Sequence, residues 1–318
     1  KKNYLCEDIR EKMSDFSVTI LGCGSAKPSL KHYTTSQVVT HRGNLFLIDC
    51  GEGVQRAMLK NKISMHKIGH IFLSHLHGDH CLGLVGLIST LGLGQRTGKI
   101  VIHAHPDAEK IFKPQFEFFC PNLSMEVEFQ VYDYQKSEVI YKDKSLEVVT
   151  IPLHHRVPCA GFLFKDTPTR RHLLKEECNK YNIPEAYYQA ICYGMDWKLE
   201  DGTIIPNSAL TSDPNPSRVY AYCSDTIYSE SIIPLIKGAD LLYHEATFLH
   251  EFESLAKERG HSTALEAGRI AKLAEVKQLV LGHFSSRYSA AGEKAILEEA
   301  KSEFPNSSLA YEQLSIEI

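Results

Sequence analysis

Apolar residues in this chain cluster into short, strand-length runs joined by turns or by stretches of helical spacing. In the first half, Ser17–Gly22, Ser36–His41, Asn44–Asp49, His70–Ser74 and Lys99–Ala104 are rich in β-branched and aromatic residues and read as strands. Gly53–Lys60 and Leu82–Gly92 read as helices between them. The second half repeats the alternation, with strands at Arg218–Cys223, Asp240–His244 and Gln278–His283 and helices at Ser229–Lys237, Thr263–Leu273 and Gly292–Ser302. A further β-rich run, Val148–Leu153, turns and re-enters a strand near Ala160. Strands alternating with crossover helices predict an α/β protein in which two sheets face each other with helices outside.

The alternation lapses between Phe164 and Arg218, where Thr169-Arg170-Arg171 leads into helix-like pieces and then a turn-rich run from Asp201 to Ser217. We read residues 1–318 as one continuous domain with an excursion over 165–217. No stretch reaches the ~20 apolar residues of a membrane span. The run Cys81–Gly94 is too short and glycine-rich, and is expected to be a buried helix. Nine cysteines, several of them in or beside strands, and no signal-peptide pattern lead us to expect free thiols in a reducing cytoplasm. With 35 basic against 39 acidic residues and a net charge of −4, a nucleic-acid partner must find a local patch.

The chemistry concentrates in His75-Leu76-His77-Gly78-Asp79-His80, a turn between a strand-like and a helix-like run. Imidazole and carboxylate together suit zinc, and this turn has enough ligands to begin two metal sites. It resembles the His-x-His-x-Asp-His signature of the metallo-β-lactamase superfamily. That resemblance implies an αββα sandwich of two mixed sheets and a binuclear site completed by a His, an Asp and a His at later strand ends. The first is found in Leu153-His154-His155-Arg156, where the spacing to Val157 and Gly161 favours His155 and leaves His154 open. Asp225 follows the strand ending at Cys223, and His283 ends another.

In the superfamily manner, His75, His77 and His155 would hold one ion, Asp79, His80 and His283 the other, with Asp225 bridging. Two dications about 3.5–4 Å apart share a hydroxide that attacks an ester. The resemblance implies two zinc ions per subunit, with manganese as the alternative. A di-iron redox site of this fold would carry Glu where His77 stands.

Two further segments narrow the chemistry. His244-Glu245-Ala246-Thr247 and His261-Ser262-Thr263 are similar to motifs of ribonuclease Z, the tRNA 3′-processing endonuclease family. Ile20-Leu21-Gly22-Cys23-Gly24-Ser25, Leu47-Ile48-Asp49-Cys50-Gly51-Glu52-Gly53 and Gly282-His283-Phe284-Ser285-Ser286-Arg287-Tyr288 add to the resemblance, which spans Val18 to Ile318. It implies cleavage of precursor tRNA to a 3′-hydroxyl, with a 5′-phosphate on the trailer, by a homodimer. A phosphodiester needs a proton for its departing oxygen. His261, before a helix whose free N–H groups also attract phosphate, is the expected phosphate binder and acid, with Glu245 orienting it. Asp79 is expected to be a ligand, and the sequence leaves open whether it is also the proton acceptor for the attacking water. Thr263 and Glu266 read as a capping box.

Two departures bear on the substrate. The family's arm, which grips tRNA, carries a Gly-Pro pair where this excursion has Ala186-Tyr187-Tyr188, and its basic residues are sparse. A Pro-x-Lys-x-Arg pattern that helps some members recognise a CCA end is reduced here to Pro28, with Leu30 and His32 in the other places. Two other activities are therefore weighed beside the endonuclease: a phosphodiesterase or esterase for small molecules, and a metal-binding protein without catalysis.

Overall fold

A computed structural model describes residues 15–167 and 170–318. Thr169, read above as part of the lead into the excursion, lies outside the described residues.

Two seven-stranded sheets face each other. The first contains β1 (Phe16–Gly22), β2 (Ser36–His41), β3 (Asn44–Ile48), β4 (Ile68–Phe72), β5 (Gly98–Ala104) and β6 (Met125–Val131) in chain order. The second runs from β7 (Val139–Lys142), β8 (Leu146–Leu153) and β9 (Cys159–Asp166) to β10 (Val219–Cys223), β11 (Leu241–Glu245), β12 (Gln278–Gly282) and β13 (Ser307–Leu309). A last strand, β14 (Ser315–Glu317), returns to pair with β1 in the first sheet. Each sheet is antiparallel at one end and parallel at the other, the parallel parts being β3 to β6 and β10 to β13.

Strand periodicity explains the layers. In β3, Phe46 and Ile48 join the apolar cluster between the sheets, while Leu45 and Leu47 join the cluster under the helices. Both faces are buried, so the strand reads as unbroken apolar sequence. Helix Leu84–Leu93 buries Leu84, Leu87, Ile88 and Leu91 at helical spacing, and helix Ala264–Leu273 buries Ala267, Ile270 and Ala271. Each such Leu, Ile or Phe side chain contributes about 1.5–3 kcal/mol relative to exposure, and each alanine methyl about 0.8 kcal/mol.

Several expectations need correction. The run Cys81–Gly94 is buried on one face only, since Leu82 and Leu93 are exposed. The helix expected over Ser229–Lys237 is a 3-10 turn, Glu230–Ile232, passing into the short helix Ile233–Ile236, and Gly238 follows at φ 71°. Helices Asp107–Phe119 and Glu253–Arg259 and strands β6, β7, β13 and β14 were not read from the sequence.

The excursion joins β9 to β10 and carries a small apolar cluster of its own: Cys178, Ile183, Ile191, Ile205 and Leu210. Short helices and two strand pairs, His172–Leu173 with Thr211–Ser212 and Trp197–Lys198 with Ile204–Ile205, surround that cluster. Among the described residues, no helix is long and apolar enough to cross a membrane.

Candidate metal centre and active site

The turn from His75 to His80 follows β4, where the chain leaves the parallel end of the first sheet. His155 follows β8, Asp225 follows β10, Glu245 ends β11 and His283 follows β12 in the second sheet. Close approach of the 50–53 loop to this turn requires glycine. A Cβ on Gly83 would strike the carbonyls of Gly51 and Cys50, and one on Gly51 would strike Asp79.

All seven expected ligands converge, in two groups. His75, His77, His155 and Asp225 offer ligand atoms within 4.8 Å of one another, and so do Asp79, His80 and His283. In the first group, His77 Nδ1 lies 3.1 Å from His75 Nε2 and 3.2 Å from His155 Nε2. In the second, His283 Nε2 lies 3.3 Å from His80 Nε2 and 3.4 Å from Asp79 Oδ2. The Asp225 carboxylate divides itself between them. Its Oδ2 is 3.6 Å from His75 and 3.8 Å from His155, and its Oδ1 is 3.4 Å from His80 and 3.2 Å from His283.

These separations fit metal ligation. Ligands about 2.0–2.1 Å from a tetrahedral ion stand about 3.3–3.4 Å from each other. Three imidazole nitrogens facing one point cannot all be satisfied by sharing protons, whereas a cation accepts every lone pair. His154 is exposed and takes part only through its backbone, its N–H donating to Thr226 Oγ1 at 3.1 Å, whereas His155 brings its Nε2 to 3.2 Å from His77 Nδ1.

The ring nitrogens facing away from the centre are held. His155 Nδ1 donates to the Gly260 carbonyl at 2.6 Å, His80 Nδ1 to Asp49 at 2.8 Å, and His283 Nδ1 meets Thr247 Oγ1 at 2.9 Å. Such contacts fix the tautomer and aim the other nitrogen. Asp49 is fully buried and also accepts from Ser74 N–H at 2.7 Å, Ser74 Oγ at 2.9 Å and Tyr222 OH at 2.6 Å. Asp49 and His283 both have left-handed backbone, φ 53° and 60°, a strain that this bonding sustains. The sequence reading gave Asp49 no role. The Asp that closes the apolar run Leu47-Ile48 was the available signal.

Electrostatics favour a cation. Burial and the neighbouring imidazoles hold His75, His77 and His155 below their ordinary value, which leaves lone pairs free. Burial alone would raise Asp79 and Asp225, but the surrounding histidines overcome it and keep both carboxylates ionised. His80 moves upward: burial opposes its charge, and Asp225, Asp49 and Asp79 outweigh burial.

His261 lies beside this centre, its Nδ1 2.9 Å from Glu245 Oε1 and 3.9 Å from Asp225 Oδ2. Burial would lower its pKa, yet the Glu245 charge and hydrogen bond raise it to about 9, so the ring carries a proton at neutral pH. Glu245 is itself fixed by Thr226 N–H at 2.8 Å and Thr247 Oγ1 at 2.6 Å. The capping box forms: Thr263 Oγ1 accepts from Glu266 N–H, and Glu266 accepts from Thr263 N–H. That box corrects one expectation. With Thr263, Ala264 and Glu266 N–H all bonded within the protein, this helix start has few free donors for phosphate.

Two facing mixed sheets, helices outside, and paired histidine and carboxylate trios at the strand ends define a metallo-β-lactamase-fold, metal-dependent hydrolase. Comparison with known proteins agrees. A family model described as anti-Pycsar protein Apyc1 matches residues 16–165. Ribonuclease Z of Phocaeicola vulgatus is 50% identical over 96% of this chain and 98% of its own length. That of Porphyromonas gingivalis strain W83 is 48% identical over 96% of this chain and all of its own. The crystal structure of human tRNase Z, short form, superposes with a TM-score of 0.67 at 26% identity, covering 95% of this chain and 99% of that one. The chain belongs to the ribonuclease Z family.

Proposed function

We propose that this protein is an endoribonuclease that removes the 3′ trailer from precursor tRNA by phosphodiester hydrolysis, leaving a 3′-hydroxyl on the tRNA and a 5′-phosphate on the trailer. The observation that carries the reading is the single Asp225 carboxylate shared by two ligand trios with the His261–Glu245 pair alongside. His75, His77 and His155 would hold one zinc ion and Asp79, His80 and His283 a second, with Asp225 between them and manganese as the alternative metal. Bound there, the ions would supply a nucleophilic water at neutral pH and neutralise charge on the phosphate.

The chain's own residues supply the rest. Asp79 Oδ2 accepts the Ala26 N–H at 2.6 Å and stands at the edge of the centre, placed to take a proton from the attacking water. With Nδ1 turned to Glu245, His261 has Nε2 left to bind the phosphate and to protonate the departing 3′ oxygen. Glu245 holds the ring in that orientation. The excursion over 165–217, with exposed Tyr187 and Tyr193, is the part we assign to tRNA contact, within the single continuous domain read from the sequence. A homodimer and a cytoplasmic location complete the reading. The eight described cysteines are all free, which suits a reducing compartment.

Labelled precursor tRNA and a chromogenic phosphodiester test the proposal side by side. A single cut after the discriminator base, abolished in Asp79→Ala, is expected. Turnover of the small ester without tRNA cleavage would replace it with a small-molecule phosphodiesterase. Metal binding with neither activity would leave a non-catalytic protein.

A further inference from the structure

A second set of ligating side chains meets behind the loop after β1. Cys23 follows β1, His32 closes the loop, and Glu312 precedes β14. Their ligand atoms lie within 4.8 Å of one another. Cys23 Sγ is 3.3 Å from His32 Nδ1, and Nδ1 is 3.1 Å from Glu312 Oε2. Sγ is 3.9 Å from Glu312 Oε1, which also accepts the Tyr33 N–H at 2.9 Å. Cys23 is fully buried, His32 is buried, and the Glu312 side chain is 18% exposed.

Around a tetrahedral ion with sulfur at about 2.3 Å and nitrogen or oxygen at about 2.0–2.1 Å, the donor atoms would stand about 3.3–3.6 Å apart. The three separations bracket that range. On the far side of the ring, His32 Nε2 is 3.0 Å from Glu293 Oε1, in the first turn of helix Ala290–Glu303. A carboxylate on the outer nitrogen fixes the tautomer of a ligating imidazole. Glu293 is in turn paired with Lys31.

We propose that Cys23, His32 and Glu312 hold a further divalent cation of the zinc type, with Glu293 orienting His32 through Nε2. On binding, the Cys23 thiol proton and the His32 Nδ1 proton both leave to solvent, Nδ1 gives the lone pair so freed to the ion, and the ring keeps its other proton on Nε2 for Glu293. Thiolate and carboxylate then balance the double positive charge, so a buried shell is left neutral. That arrangement selects a divalent over a monovalent ion, and the thiolate selects zinc-like over magnesium-like metals. Water takes the fourth position through the partly open Glu312 side. The ion would fasten three distant parts of the chain: the end of β1, the loop through Ala26 that touches Asp79, and the C-terminal segment. This site rests on its own residues, independent of the catalytic reading.

Cobalt-loaded full-length protein gives the test. The proposed catalytic ligands include no sulfur, so a sulfur-to-cobalt charge-transfer band in the near ultraviolet reports Cys23. We expect that band in the wild type, its loss in Cys23→Ser together with one fewer metal ion per chain, and about 10–100-fold weaker cobalt binding at this site in Glu293→Gln. No band in the wild type, or a band that survives Cys23→Ser, overturns the site and leaves His32 as a cation between two carboxylates. The wild-type spectrum decides even if a variant fails to fold, and it does so whether or not tRNA is cleaved.

Discussion

Replacing Asp49 with Asn removes one charge and almost no volume, yet the hydrogen bonds around it leave no good arrangement. Oδ1 accepts the Ser74 backbone N–H, and Oδ2 accepts His80 Nδ1–H, Ser74 Oγ and Tyr222 OH. If the amide nitrogen takes the first position, a backbone N–H that cannot rotate is left opposed and buried, at about 1–3 kcal/mol. If it takes the second, the hydroxyls rotate, but His80 must accept at Nδ1 and carry its proton on Nε2. That proton would then point at Asp225 Oδ1 and His283 Nε2, 3.4 and 3.3 Å away, where a lone pair is required. Loss of such an orienting contact ordinarily costs 10–100-fold in metal affinity or activity, equivalent to about 1.4–2.8 kcal/mol. Asp49→Asn should therefore lower tRNA cleavage by that factor and deplete metal at the Asp79/His80/His283 trio, with a circular dichroism spectrum like the wild type. A variant with wild-type turnover and full metal content would refute the orienting role of Asp49.

Other outcomes follow from the same geometry. His261→Ala should reduce turnover about 10²–10⁴-fold while metal content stays nearly intact; loss of metal by elemental analysis would contradict a proton-transfer role. Deleting residues 170–217 with a short linker should impair tRNA cleavage and spare hydrolysis of a small phosphodiester, since the excursion has its own apolar cluster; equal loss of both would make the segment structural. His103 is buried, and burial with the nearby His70 lowers its pKa to about 3. The unfolded chain takes up a proton below about pH 6.5, before the folded chain does, so this contribution is intact above that pH and is lost as pH falls towards 3. Between pH 6.5 and 5 it amounts to about 2 kcal/mol. Urea unfolding of His103→Phe should show a pH dependence shallower by that amount, and an unchanged slope would disprove it.

Much of the layout is legible because burial on both faces leaves a plain mark. Leu45 to Ile48 lie between helices and a facing sheet, so the run is apolar throughout, and the proposed ligands sit where such runs stop. The capping box is local and was equally readable. What was missed depends on apposition. Strand β6 lies at a sheet edge and alternates charge with apolar residues, and the helix Asp107–Phe119 contains Pro114, which ordinarily argues against a helix interior. The strands β13 and β14 are three residues each and gain their identity from partners far along the chain. Asp49 and Thr247 orient histidines brought to them only by folding, and the capping box closed donors that sequence spacing had left free.

Each proposed ligand trio draws two side chains from the turn after β4 in the first sheet and one from a strand end in the second, and the Asp225 carboxylate reaches from the second sheet towards both. Neither half of the molecule can assemble a complete coordination shell alone. An ion seated there is therefore a rivet through the sandwich, and chelation should loosen the whole architecture as well as silence its chemistry.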